Sequence, residues 1–218
     1  MNRIFCIIGK SGTGKNTLVK TILSGEYGCR DLDLTEIVPV TTRPKRPDEV
    51  ETKSFTYRRE DLEKLVVTTD IPDYVYVTDE EFEKLDLVEQ RSYKVANNDV
   101  WKYGTPKLGL PYERDYILIT TPDAIPKIQK YYEADMFMVI TCVVCCAAKT
   151  RITRMLDRGY GKPEEIAEQC RRYLADEKDF RPQVLSKIHR LVYIPSGDNG
   201  SDKNVMAKTF KIIYNEVR

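Results

Sequence analysis

A chain of 218 residues, 41% of them hydrophobic, is long enough for one domain with a real core, and this composition excludes wholesale disorder. Lys and Arg number 35 against 34 Asp and Glu, a net charge of +1, so the basic excess of a nucleic-acid binder is missing and no nucleic-acid partner is expected. No apolar run reaches the roughly 18 residues that a spanning helix needs, so no membrane role is expected either.

Residues 3–8 form an apolar run ended by Gly9-Lys10. It falls short of the about 7–15 residues of a signal core, so a buried strand and a cytoplasmic protein are expected. Residues 15–24 carry helical spacing, with Leu18, Ile22 and Leu23 on one side. Residues 36–42 are short and β-prone, and Pro44 and Pro47 hold the next stretch open. A strand is expected at 54–58, a short helix at 59–66 and an irregular β insert at 67–78. Asp79 reads as the N-cap of a helix over 79–86. Residues 87–104 alternate as a hairpin, with Asn97-Asn98-Asp99 as its turn. The runs Tyr116–Thr120 and Met136–Val144 suit strands buried on both faces of a parallel sheet, with a helix (about 122–132) between them. A charged helical stretch covers 147–180, broken at Gly159–Pro163, and a strand (190–194) and a helix (202–216) close the chain. Alternating strands and helices imply an α/β sheet.

Of the six cysteines, Cys6, Cys142, Cys145 and Cys146 lie in apolar runs, where Cys behaves as a small hydrophobe. No second Cys pair has metal-binding spacing and the single histidine, His189, is remote, so no cysteine metal site is expected. Basic residues cluster at Arg43, Lys45 and Arg46 and again at Arg151, Arg154, Arg158, Arg171 and Arg172; solvated helix faces are the plain reading of such runs.

Gly9-Lys10-Ser11-Gly12-Thr13-Gly14-Lys15-Asn16-Thr17 follows a strand and opens a helix, the context a phosphate-binding P-loop needs. The glycines let backbone N–H groups turn inward around phosphate oxygens, the helix N-terminus adds partial positive charge, and Lys15 reaches the β- and γ-phosphates. The strict pattern has Ser or Thr after the lysine to hold Mg²⁺. Here Asn16 stands there, and either its amide oxygen or the Thr17 hydroxyl is the expected metal contact. About one β-α unit later comes Thr41-Thr42-Arg43-Pro44-Lys45-Arg46-Pro47-Asp48-Glu49-Val50. Two arginines in an extended, proline-stiffened segment can point their guanidinium forks at one phosphate.

Together these residues resemble the guanylate kinase family over nearly the whole chain. The loop is similar to the family's Gly-Pro-Ser-Gly-x-Gly-Lys motif, and Thr41 through Val50 to its Thr-Thr-Arg-x-x-Arg-x-Gly-Glu-Val motif, with Asp48 for Gly. Leu87-Val88-Glu89 with Tyr103-Gly104-Thr105 resembles its base-binding segment. Leu156-Asp157-Arg158-Gly159, Glu164-Glu165-Ile166 and Arg172 resemble its lid. The resemblance implies a three-layer P-loop α/β fold with a mostly parallel central sheet. Its core would cover about 1–35, 106–156 and 187–218, a nucleotide-binding insert about 36–105 and a lid about 157–186. It implies transfer of the γ-phosphoryl group of ATP, with Mg²⁺, to GMP or dGMP, by a monomer or homodimer. Arg43, Arg46 and Tyr103 would hold the GMP phosphate, Glu89 the guanine N1–H and N2–H₂, and Thr105 would assist at the base. Lys15, Arg154 and Arg172 would neutralise the moving group with Arg158 close by, and Arg171 can exchange with Arg172 in this alignment.

Departures exist. Phe55 stands where the family has a tyrosine, with Tyr57 as its possible replacement, Pro39 stands where a base-contacting serine is expected, and Ile119-Thr120-Thr121 stands where acidic residues are expected. Two alternatives follow: a kinase of another (deoxy)nucleoside monophosphate or of a phosphorylated ribose, or a non-catalytic interaction module of guanylate-kinase type.

Overall fold

Strands that are apolar on both faces need cover on both sides. The computed structural model describes residues 2–58, 71–95, 97–158, 163–197 and 202–217. In chain order these form β1 (Arg3–Ile8), α1 (Lys15–Leu23), β2 (Leu34–Ile37), β3 (Val40–Thr41), β4 (Thr56–Arg58), β5 (Val75–Tyr76), α2 (Asp79–Phe82), β6 (Leu87–Lys94), β7 (Val100–Pro106), β8 (Asp115–Ile119), α3 (Ile125–Ala134), β9 (Met138–Cys145), α4 (Ala148–Arg158), α5 (Pro163–Asp179), α6 (Pro182–Leu185), β10 (Leu191–Pro195) and α7 (Lys203–Glu216).

Six strands form one sheet in the order β10-β9-β1-β8-β2-β4, parallel throughout except for the antiparallel edge strand β4. Side chains alternate across a strand, so β1 feeds two cores at once. Phe5 and Ile7 pack with Leu18 and Ile22 of α1 and Met206 and Phe210 of α7. Ile4, Cys6 and Ile8 pack with Ile125, Ile128 and Tyr132 of α3 on the other face. The chain is thus mixed α/β, with helices on both faces of a mostly parallel sheet. Burial of each such Ile or Phe is worth about 1.5–3 kcal/mol, which is what keeps β1, and the loop it carries, in place.

A second sheet, in the order β5-β3-β7-β6, is mostly antiparallel. Its core is Val38, Val40, Val75 and Phe82. The expected hairpin is β6–β7. Its turn uses Asn98 in the left-handed region (φ 70°), and the Asn97 side chain accepts from the Asp99 N–H. β4, from the middle of the 36–105 segment, pairs with β2 in the large sheet. One capping assignment needs correction: Thr78, not Asp79, caps α2. Thr78 keeps an extended backbone, its hydroxyl accepts from the Glu81 N–H, and the Glu81 carboxylate accepts from the Thr78 N–H, so Asp79 is already inside the helix. The helix expected at 59–66, the first part of the insert and the break at 159–162 lie outside the described residues. All six cysteines are free thiols; Cys142 is buried, which pushes its thiol up to about 12. No described helix is long and apolar enough to cross a membrane.

Candidate functional site

β1 runs between β9 and β8, and the glycine-rich loop leaves its carboxyl end, the edge where α/β sheets carry their ligands. Two glycines there have no substitute. A Cβ on Gly9 would meet the Val144 carbonyl oxygen at 2.7 Å, and Gly12 has φ 79° with the Arg151 carbonyl oxygen 2.8 Å from any Cβ. Lys15 curls back over the loop, its Nζ donating to the carbonyls of Gly9 (2.6 Å) and Lys10 (3.2 Å). Two arginines of α4 hold the outer side: Arg151 Nε donates to Ser11 O at 3.1 Å and Arg154 Nη1 to Gly12 O at 2.9 Å. Arg154 Nη2 is buried and has no hydrogen-bond partner among the described residues.

α5 presents carboxylates to the same loop. The Ser11 N–H donates to Asp176 at 2.5 Å, and Lys10 pairs with Glu177 at 2.6 Å. Arg151 ties both carboxylates down, contacting Glu177 at 2.8 Å and Asp176 at 3.4 Å. Hydrogen bonds from Lys10 and Arg151 hold the Glu177 carboxyl below its ordinary range. A loop amide with the chemistry to hold an anion therefore already holds one supplied by the chain. Thr13 closes the loop on itself, its hydroxyl donating to Lys10 O at 2.9 Å.

A second cationic centre forms where β3 runs into the proline-stiffened segment. Arg43 is 4% exposed, and its Nη2 bridges both oxygens of Glu49 at 2.6 and 2.8 Å. Its guanidinium also faces the Tyr74 and Tyr76 rings, 5.4 and 5.8 Å from the centroids. Tyr76 donates its hydroxyl to Glu49 at 2.8 Å, and Tyr103 packs on Tyr74 at 6.1 Å. Arg46 is crowded by its own sign: burial, then Arg172, then Arg43 push its guanidinium pKa down. Arg172, 5.8 Å from the Trp101 ring centroid, shares Glu168 with Arg171. Arg43 and Arg46 from the segment after β3 and Arg172 from α5 lie near enough for their charges to act on one another, which is an anion-binding arrangement. Tyr57 packs into the two cores beneath β4, so Tyr74 and Tyr76 are the tyrosines beside Arg43. Their signal in the sequence was only a Val-Tyr-rich stretch.

The charge network here has a testable pH signature. Burial pushes the Glu49 carboxyl up, but hydrogen bonds from Arg43, the Arg46 N–H and Tyr76 outweigh it, and the net direction is down. A depressed folded-state value means that the stabilisation is present above the unfolded value of about 4.3 and is lost as pH falls through the lower folded one. Glu49→Gln is therefore expected to cost stability in urea melts at pH 7 and to cost progressively less as pH drops below about 4. A gap that stays constant with pH removes this account of Glu49.

Glu89 lies on β6 at the junction of the two sheets, 3% exposed, and accepts from the Thr105 hydroxyl at 2.7 Å. Arg91 Nε sits 3.0 Å from Glu89 Oε2, yet the two are misaligned and neither atom makes a hydrogen bond among the described residues. Arg91 Nη1 also donates to the Thr121 hydroxyl. Arg91 had no signal in the sequence beyond its place in an alternating strand.

Asn16 and Thr17 open α1 and are both half-buried. Asn16 Nδ2 donates to Asp73 at 3.0 Å, and Asp73 also accepts from Lys20 Nζ at 2.8 Å and the Val50 N–H at 3.0 Å. Glu36 lies close by; burial pushes its carboxyl well above the ordinary range, and the Asp73 charge adds to this. Among the described residues no three His, Cys, Asp or Glu side chains are grouped to hold a metal ion. Asn16 and Thr17 each carry a hard oxygen at the start of α1, the kind of neutral donor that would serve Mg²⁺ keeping most of its own water. Of the residues singled out in the sequence, Gly9 to Thr17 and Arg154 come together at the loop, while Arg43, Arg46, Tyr103 and Arg172 meet at the second centre. Glu89 and Thr105 meet at the sheet junction, and the Arg158 side chain lies outside the described residues. No protein-family model matches this chain, and no curated protein matches it at a significant level.

Proposed function

We propose that this chain is an ATP-dependent nucleoside monophosphate kinase of P-loop type, with GMP or dGMP as acceptor. The observation that carries the reading is the pairing of two anion sites. One is the glycine loop, with Lys15 folded over it and beside it the buried Nη2 of Arg154, which has no hydrogen-bond partner among the described residues. The other is the Arg43–Arg46–Arg172 centre. A kinase that joins two phosphates needs both. In this reading an oxygen of the acceptor phosphate attacks the γ-phosphorus of ATP in line, the bond to the β–γ bridging oxygen breaks, and ADP leaves. The chain contributes no nucleophile. Lys15 and Arg154 stabilise the equatorial oxygens, Arg43 and Arg46 fix the acceptor, and Arg172, close to Arg46, joins the two halves on closure. Asn16 and Thr17 would hold Mg²⁺, which when bound offsets charge on the β- and γ-phosphates. The Ser11 N–H must exchange the Asp176 carboxylate for a phosphate oxygen when ATP binds.

A coupled assay with ATP, Mg²⁺ and a panel of monophosphates tests this reading; no ADP formation with any of them rejects it. Arg46 is the cleaner probe of the acceptor site, since Arg43 is locked to Glu49 and its loss would strand a buried carboxylate. Arg46→Ala is expected to raise the acceptor KM by roughly tenfold or more with ATP affinity nearly unchanged, the loss of one charge-assisted contact. Calorimetry showing ATP lost and GMP retained would reverse the assignment of the two sites.

A second reading keeps the chemistry and changes the acceptor to another (deoxy)nucleoside monophosphate or a phosphorylated ribose. Arg91 favours it: a carboxylate 3.0 Å from a guanidinium already has a cation beside it and is less in need of a guanine edge.

A further inference from the structure

Asp73 stands 57 residues from Asn16 in the chain, outside every motif of the sequence. It is 8% exposed, and its hydrogen-bond partners among the described residues are all donors: Asn16 Nδ2 on one oxygen, Lys20 Nζ and the Val50 N–H on the other. A carboxylate can only accept, so it selects which end of the Asn16 amide faces it. The NH₂ end must turn to Asp73, and the carbonyl oxygen is then held on the opposite side of the same planar group. The backbone fixes Asp73 in turn, through its N–H to Val50 O at 2.7 Å.

We infer that Asp73 is the positioning residue that makes Asn16 a metal ligand: it holds the amide so that Oδ1, not Nδ2, is presented for a divalent cation at the glycine loop. The inference rests on the proposed kinase reading and adds a residue that acts on the metal through Asn16. It also explains how asparagine serves where Ser or Thr is usual. A hydroxyl is both donor and acceptor and orients itself, whereas an amide has a wrong way round and needs a partner to exclude it. The same carboxylate bonds the Val50 N–H, so it links the helix that follows the loop to the end of the segment bearing Arg43 and Arg46.

The test is an amide inversion. In Asp73→Asn the new carbonyl oxygen must stay with the two donors, Lys20 and Val50, so the new NH₂ faces residue 16. Asn16 must then turn its oxygen to residue 73 and its NH₂ to the metal. Adding Asn16→Asp to Asp73→Asn supplies an acceptor for that NH₂ and returns an oxygen to the metal side. The readout is binding, not turnover: Mn²⁺ as the probe ion, with ATP affinity measured by calorimetry with Mn²⁺ and with EDTA, and bound Mn²⁺ counted by electron paramagnetic resonance. Wild-type protein is expected to bind ATP more tightly with Mn²⁺ than with EDTA. Asp73→Asn is expected to lose roughly tenfold or more of that gain with affinity in EDTA unchanged, and the double variant to recover it, with weaker binding in EDTA because a charge now faces the phosphates. Melting curves without metal check folding. If the single variant does not fold, the double variant, in which every donor has its acceptor, decides alone: a gain equal to or above wild type supports the inference and a lost gain overturns it. A gain that persists in folded Asp73→Asn overturns this inference and leaves the kinase reading intact. Wild-type protein that binds ATP equally with and without Mn²⁺ overturns the metal assignment and this inference together.

Discussion

Lys15→Ala is expected to fold normally and to transfer phosphoryl groups roughly two to four orders of magnitude more slowly. The Lys15 side chain belongs to no core cluster; its ammonium rests on the carbonyls of Gly9 and Lys10, at 2.6 and 3.2 Å, above a loop that the glycines shape. Truncation takes this donor from the carbonyls of buried Gly9 and half-buried Lys10, and the space left by the half-buried side chain is expected to admit water to them. Melting temperature is therefore expected to move little. In the proposed reaction the ammonium leaves those carbonyls for the β- and γ-phosphates, where negative charge shifts as the bond breaks. A preorganised charge aimed at that point counts most in the transition state, so the loss falls on kcat. Near-normal turnover by a folded variant would remove phosphoryl transfer as the function, whatever acceptor is used.

Glu89→Gln is expected to weaken GMP and dGMP by about ten- to a hundred-fold and to leave AMP, already poor, almost unchanged. Guanine presents N1–H and N2–H₂ side by side, and a carboxylate accepts from both. Adenine meets the same carboxylate with the lone pair of N1. The misaligned contact with Arg91 bears on the size of the effect. Glu89 Oε2 is buried 3.0 Å from Arg91 Nε, which offsets its charge, but makes no hydrogen bond among the described residues, so guanine would add hydrogen bonds rather than charge and the effect is bounded accordingly. Gln keeps the shape and can keep the Thr105 bond, but its NH₂ then faces the donors of the base. A wild-type protein that phosphorylates AMP or CMP as readily as GMP separates Glu89 from base selection and transfers support to the second reading.

Local chemistry was legible from the residues because its parts are neighbours in the chain. The loop from Gly9 to Thr17 is shaped by its own glycines, so its left-handed Gly12 and its place between β1 and α1 follow from spacing alone. The buried strands were legible too, since β1, β8 and β9 are apolar on both faces and only a covered parallel sheet accommodates that. The cap of α2 was misplaced by one residue because Thr78 and Asp79 are both good caps, and the backbone conformation chooses between them. Contacts across the sheet order were not legible. Arg91 against Glu89 depends on side-chain geometry at the junction of two sheets. Asp176 on the Ser11 N–H brings together residues 165 positions apart, and Asp73 on Asn16 brings together residues 57 apart. The sequence by itself determined most of the elements and the glycine loop between β1 and α1, whose energies are local. The tertiary structure alone decided which buried charge meets which partner, because a desolvated carboxylate takes its donors from whatever the packing of distant segments brings within reach.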